Sequence, residues 1–335
     1  MYNRKESGYN SFYDLPHLLN GYRNGVKDFR GHAESFEMMI NDGHELNSVT
    51  PITIHHAKRL DKGDKSGRDR TYYIQDEHRE GVLKLFGHPK PKYRKFLVNK
   101  ILNIHTGFDR PEFRLPAILD TDENNWILFE SLQRQSGCPI TEAEVSRILS
   151  GLLRVAPPKN LTPYRDVYGH LMIRMLSRLL YRPIPMSWHE RLQITANLMY
   201  CHYLQSALDR PFFVHTDLHR DNILKTRSGL YLLDLQTAVF EHRWMLIDVS
   251  VFALQESGFS INTHYLKTIQ KEALHLFPDS PINWYAQLYT GMMFYFLKVL
   301  GPRLPQAQVP PLVSFIRKNM LSWKRFRIFA THQLF

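Results

Sequence analysis

At 335 residues, with 43% hydrophobic and 13% aromatic side chains, the chain is long enough to bury a full core in two modest domains or one bilobal unit. Its composition excludes a disordered or fibrous protein. Two cysteines, Cys138 and Cys201, outside any CxxC spacing, exclude a disulfide framework and a cysteine-built zinc site. The formal charge of +11 gathers in two acid-free segments. One carries Lys90, Lys92, Arg94, Lys95 and Lys100; the other carries Arg317, Lys318, Lys324, Arg325 and Arg327. Both make an anionic partner a reasonable expectation. No secretory signal is visible at the N-terminus. The most apolar run, LYTGMMFYFLKVLG from Leu288, is interrupted by Lys298 and too short for a bilayer, so it predicts a buried helix.

In chain order, residues 1–49 form a polar N-terminal extension with one helix expected near HAESFEMMIND. ITIHHAKRL, RTYYIQD and GVLKLF follow, rich in β-branched and aromatic residues and separated by turn-forming sequence, which predicts an antiparallel meander. Within the first turn, Gly63, Lys65, Ser66 and Gly67 allow a phosphate-facing loop or an ordinary exposed turn. A helix is expected over KYRKFLVNKILNI, with Tyr93, Leu97, Ile101 and Ile104 on one face. FRLPAIL and NNWILFESL give two more strands. From Gln133 the pattern turns helical. Thr141 with Glu144, and Ser187 with Glu190, each fit the S/T-x-x-E capping box. Pro281 is placed at the first position of another helix. A C-terminal helix carries Leu312, Phe315, Ile316, Met320 and Trp323 on one face. That face suits packing on the protein, or alternatively contact with an anionic membrane.

The chemistry gathers in VHTDLHRDNIL, Val214 to Leu224, followed by an Asp at the end of LYLLD. A turn needs one or two polar residues, and this loop holds six ionisable or metal-capable ones, His215, Asp217, His219, Arg220, Asp221 and Asn222. His215-x-Asp217-Leu218-x-x-x-Asn222 reproduces the spacing of a kinase catalytic loop, with Thr216 in place of the usual Arg. That spacing suits phosphoryl transfer. Asp217 accepts the proton of an acceptor hydroxyl, Asn222 offers an amide oxygen to Mg²⁺ one turn later, and a hairpin brings Asp234 to the same ion. Without the Arg that reads an activation-loop phosphate, regulation by such a phosphate is not expected.

HTDLHRDNIL is similar to the HGDLHPGN loop of aminoglycoside and choline phosphotransferases, the small-molecule branch of the protein-kinase-like fold. The resemblance spans roughly Pro51 to Gly258. It implies an α+β, bilobal architecture: a small antiparallel β-sheet lobe over residues 50–132 and a larger, mainly helical lobe over 133–335. It further implies that Lys84 in VLKLF contacts nucleotide phosphates. Glu130, Ser131 and Leu132 would form a hinge binding adenine, and Asp248 in RWMLIDVSVFAL would brace the catalytic loop. His219 stands where protein kinases usually have a lysine. ATP and Mg²⁺ are the implied cofactors. A shorter likeness, VLKLFGHPKPKYRKFL, resembles kinases of lipopolysaccharide core sugars and implies a small-molecule or glycolipid sugar acceptor. Two departures stand out: KYRKFLVNKILN has no Glu to pair with Lys84, and no G-x-G-x-x-G is present.

Two other readings fit the residues. On a strand, His215, Asp217 and His219 would face one side and, with Asp221, His202 or His242, could form the metal site of a hydrolase. Alternatively the fold binds nucleotide without catalysis, as a pseudokinase. The kinase reading alone gives Asn222, Asp234 and Lys84 a role. It implies a cytoplasmic enzyme, peripheral at the inner membrane face if the C-terminal helix lies on lipid, and no nucleic-acid partner.

Overall fold

A computed structural model describes residues 56–59, 69–75, 80–87, 90–106, 108, 110–135, 138–155, 157, 171–257, 259, 261–300 and 309–334. The N-terminal extension, its expected helix and the Gly63–Gly67 turn lie outside the described residues. Two compact units emerge. One holds residues up to Asn99 together with Pro116–Leu132, and the other holds Lys100–Leu115 with Gln133–Phe335.

The first unit is a five-stranded sheet in the order β1-β2-β3-β5-β4. Its strands are β1 (His56–Arg59), β2 (Asp69–Gln75), β3 (Glu80–Phe86), β4 (Ile118–Thr121) and β5 (Trp126–Glu130). All pairings are antiparallel, and β1 to β3 form the expected meander. One face is apolar because alternate residues point to it: Tyr72, Ile74, Leu83, Trp126 and Leu128 are buried together. Of FRLPAIL only the last two residues enter β4. Arg114, earlier in that run, belongs to the second unit and bridges Tyr231 there, its N–H 2.8 Å from the Leu230 carbonyl. Helix α1 (Pro91–Thr106) follows β3 and buries Leu97, Ile101 and Ile104 as their spacing requires.

The second unit contains α2 (Glu142–Arg154), α3 (Leu171–Tyr181), α4 (Trp188–Leu204), the short pairs β6 (Phe212–Val214) with β9 (Val239–Glu241) and β7 (Ile223–Thr226) with β8 (Gly229–Leu232), then α5 (Ile247–Ser257), α6 (Thr263–Leu276), α7 (Trp284–Val299), α8 (Val309–Asn319) and α9 (Trp323–Leu334). Both capping boxes form, at Thr141–Glu144 and Ser187–Glu190. The helix expected to open at Pro281 begins later. Asn283 caps it by accepting the Ala286 N–H at 3.0 Å, so an Asx cap prevails over the N1 proline. Helix α7 is central, with α3, α4, α5 and α9 packed on it. Its approach to α5 is close: a Cβ on Gly291 would lie 2.3 Å from Ser250 Oγ and 2.7 Å from the Leu246 carbonyl.

The basic C-terminal segment is two helices, not one, with a break over 320–322. Leu312, Ile316, Met320 and Phe326 are buried within the unit, so the apolar face is spent on packing. No helix among the described residues is long and apolar enough to cross a membrane.

Candidate active site

Strand β6 anchors the loop that carries His215, Asp217 and Asn222. Phe212, Phe213 and Val214 are buried, and pairing with β9 ends at Val214 opposite Val239. The chain then leaves the strand, and Thr216 takes a left-handed φ of 66°. A β-branched residue in that region is strained by about 1–3 kcal/mol, so its surroundings must hold it there. Asp248, in the first turn of α5, does so. Its Oδ2 accepts the His215 N–H and its Oδ1 the Thr216 N–H, each at 2.7 Å. Burial pushes this carboxyl's pKa up, opposed by His215 and the two N–H donors. Thr216 Oγ1 also donates to the Thr237 carbonyl at 3.0 Å. The bracing role implied for Asp248 is thus present in the geometry.

His215 is fully buried, and its Nε2 lies 2.8 Å from the carbonyl of Leu233, the residue before Asp234. It ties the loop to the end of β8. The β7/β8 hairpin pairs Ile223 with Leu232, and the Leu233 N–H bonds the Asn222 carbonyl at 2.9 Å. Asn222 is thereby set beside the strand end that delivers Asp234. Asp234 is exposed and left-handed (φ 58°, ψ 62°), a conformation Asp tolerates better than most residues. The Asn222 amide nitrogen donates to the Asp217 carbonyl at 2.9 Å, which turns its oxygen the other way. An amide oxygen and a carboxylate, both hard donors, fit Mg²⁺.

Asp217 is half-buried. Its Oδ1 is bound by Lys298 Nζ from α7, which also donates to the Thr216 carbonyl at 3.2 Å. Burial pulls the Lys298 pKa down, and Asp217 pulls it back up. His219 Nε2 lies 3.7 Å from Asp217 Oδ1, and its Nδ1 lies 3.9 Å from Asp221 Oδ2. Burial outweighs both carboxylates and lowers the His219 pKa. The ring is therefore mainly neutral near pH 7. The cation beside Asp217 comes from Lys298 and not from position 219.

Comparison with solved structures decides the architecture. The chain superposes on a thermostable mutant of aminoglycoside phosphotransferase APH(4)-Ia, bound to AMP-PNP and hygromycin B, with a TM-score of 0.53 and 13% identity. That match covers 84% of this chain and 97% of the other. A putative aminoglycoside phosphotransferase from Ralstonia eutropha gives 0.53 and 13% over 88% and 98%. A putative fructosamine-3-kinase from Thermobifida fusca gives 0.51 and 13% over 79% and 93%. The chain has the protein-kinase-like fold. No protein-family model and no curated protein sequence matches it.

Within this kinase-like fold, Lys84 sits at the middle of β3, opposite Thr71 and Ile127. It follows Leu83, which points into the apolar face. The acid-free helix after it uses Lys100 differently: buried, it donates to the Gln236 carbonyl at 2.9 Å, two residues past Asp234. Glu130 ends β5, but its N–H is taken by the Ala117 carbonyl and its Oε1 by the Ala117 N–H, both at 2.8 Å. Any hinge contact falls to its carbonyl and to the peptide groups of Ser131 and Leu132. The His-Asp-His alternation needs a strand, and β6 stops at Val214. Among the described residues no three His, Cys, Asp or Glu side chains converge on a metal position. His242 is engaged elsewhere, its Nδ1 3.2 Å from the Leu208 carbonyl. Sequence reasoning missed Lys298, treating it only as a break in an apolar run. A lone lysine on a buried helix was the available signal, because an unpaired buried cation is costly.

Proposed function

We propose that this protein is an ATP-dependent phosphotransferase that moves the γ-phosphoryl group to a hydroxyl of a small molecule. The observation that carries this is the braced loop. Asp217 and Asn222 are locked by Asp248 and His215, and Asp234 is delivered at the end of the adjoining hairpin. A chain that had lost catalysis would have no need to hold Thr216 in a strained conformation, so this favours an enzyme over a pseudokinase. The similar structure holds AMP-PNP and hygromycin B together, which supports a nucleotide and a small-molecule acceptor for this chain.

The acceptor oxygen forms a bond to the γ-phosphorus while the bond from that phosphorus to the bridging oxygen of ADP breaks. The acceptor's proton passes to Asp217. Lys298 occupies Oδ1, which leaves Oδ2 to orient the hydroxyl and take the proton. Asn222 and Asp234 would hold Mg²⁺, which supplies charge neutralisation at the nucleotide phosphates. Lys84 and the 130–132 segment are the proposed nucleotide contacts of the first unit. The transition state is loose, so positioning and electrostatics carry most of the rate. A sugar hydroxyl is the proposed acceptor; lipopolysaccharide core sugars belong to that class.

The test measures ADP release and Mg·ATP binding in the full chain. Asp217→Ala should cut transfer by roughly 10²–10⁴-fold while Mg·ATP affinity stays within about twofold, because the carboxylate serves the acceptor. Transfer at the wild-type rate by a folded Asp217→Ala protein would remove the kinase reading.

A further inference from the structure

Lys298 is the only charged residue of α7, whose other positions from Ala286 to Leu297 are largely buried. A lysine set into an apolar helix loses hydration, and replacing a buried ion pair with packed apolar groups is often neutral or stabilising. Packing of α7 therefore gives no reason for a cation at this position. The loop gives one. Lys298 Nζ bonds Asp217 Oδ1 and donates to the Thr216 carbonyl at 3.2 Å, so one ammonium spans the Asp217 side chain and the backbone before it. The carboxylate is thereby tied to the left-handed turn at Thr216, which Asp248 locks. The pair is not sealed: the Lys298 and Asp217 side chains keep 24% and 27% of their surface accessible. A ligand can reach the carboxylate while the lysine holds it. Among the described residues no other Lys or Arg forms an ion pair with Asp217, and His219, 3.7 Å away, is mainly neutral near pH 7. Asp248, the other acid that acts on Lys298, is committed to two backbone N–H groups. Arg178 adds like charge from α3, its guanidinium 5.4 Å from the ring centroid of Phe294, one turn before Lys298. These surroundings leave Asp217 as the anion that Lys298 serves.

We propose that Lys298 is a positioning residue of the transfer reaction, supplied by a core helix and not by the loop itself. By gripping Oδ1 it stops the Asp217 carboxylate from turning and presents Oδ2 to the acceptor hydroxyl. The role rests on the phosphotransferase reading; the pair itself does not. As the acceptor oxygen bonds to the γ-phosphorus and the bond to ADP breaks, the acceptor's proton passes to Oδ2. Lys298 keeps its own protons throughout, and its positive charge steadies the carboxylate until the proton arrives. It acts through Asp217 and touches no reactant. Lys298 should therefore govern the rate of transfer and not the binding of nucleotide, whose proposed contacts lie on the β7/β8 hairpin side and on the first unit.

Steady-state ADP release by the full chain tests this, with Mg·ATP varied and with either glucose or water alone as the hydroxyl probe. Lys298→Met should lower kcat by roughly 10²-fold, the cost of a misplaced reacting group. Its KM for Mg·ATP should stay within about twofold, because Asp217 serves the acceptor. Lys298→Arg, which keeps the charge, should recover most of the rate. In an Asp217→Ala protein the Lys298→Met change should cause no further loss, since its effect runs through the missing carboxylate. If Lys298→Met does not fold, Lys298→Gln carries the same readings. A folded Lys298→Met protein with the wild-type kcat overturns the role. So does a loss that falls on the KM for Mg·ATP and spares kcat, which a displaced helix would explain. An undiminished further loss in the Asp217→Ala background also overturns it, because Lys298 would then act without the carboxylate. A wild-type protein that neither binds Mg·ATP nor releases ADP defeats the phosphotransferase reading instead. Urea denaturation then decides the pair: coupling between Lys298→Met and Asp217→Ala keeps it, and additive effects overturn it.

Discussion

Asp248 shows how much one buried side chain can organise. Replacing it with Ala leaves the His215 and Thr216 N–H groups inside the protein without an acceptor, at a cost of about 1–3 kcal/mol each. Thr216 then also loses the contact that holds its left-handed backbone. Asp248→Ala is expected to lower the melting temperature by several degrees and to abolish transfer, although Asp248 touches no reactant. Thermal denaturation and an ADP-release assay check this together. A variant with an unchanged melting temperature would show that the loop keeps its shape without the brace.

At the scale of elements, Glu190 joins two helices. It closes the capping box of α4, with the Ser187 N–H at 2.7 Å from Oε2, and receives Arg317 of α8, Nε to Oε1 at 2.5 Å. The Arg317 guanidinium, chiefly, and the Ser187 donors hold its pKa at about 2, against burial. A folded pKa below the usual carboxylate value means this contribution is complete above about pH 4.5 and disappears as pH falls through about 2. Melting temperatures across that window should therefore show Glu190→Gln less stable than wild type at pH 7, with the gap narrowing toward pH 2. A gap of constant size would show that the ion pair contributes nothing. Gly291 governs a second contact. A Val there would drive its side chain into Ser250 and the Leu246 carbonyl, costing about 1–3 kcal/mol as α7 and α5 separate. Lys298 lies two turns further along α7 on the same side, so Gly291→Val should also lower transfer. Urea denaturation and the same ADP assay read both effects. Wild-type stability would mean the helices can repack freely.

For the molecule as a whole, the C-terminal pair α8 and α9 is part of the second unit's core. Phe326 lies edge-on to Tyr289 of α7, ring centroids 4.9 Å apart, and Phe315 meets Phe296 at 5.6 Å. Removing a single buried Phe costs about 3–5 kcal/mol, and deleting residues 314–335 removes Ile316, Met320, Phe326, Ala330 and Leu334 at once. Such a protein is expected to lose cooperative unfolding and to bind a hydrophobic dye. A truncated protein that stays cooperative and soluble would return this segment to a surface role, such as the membrane contact its basic residues suggest.

What could be read directly from the sequence is what short spacing determines. His215, Asp217 and Asn222 lie within one loop, Asp234 closes the adjoining hairpin, and Ser187–Glu190 and Thr141–Glu144 are capping contacts over three residues. Strands of the first unit were legible for the same reason, since period-two alternation is a local property of the pleat. Local rules misplaced two boundaries. Asn283 and not Pro281 starts α7, and one expected C-terminal helix is two, because several start signals compete and packing selects among them. Tertiary structure alone brought Lys298 to Asp217, 81 residues earlier, and set Arg178 over Phe294. Neither pairing leaves a periodic trace. Each depends on where α7 sits in the unit, which Gly291 and the helices around it decide through non-directional apolar packing. A sequence window of one or two turns cannot register that.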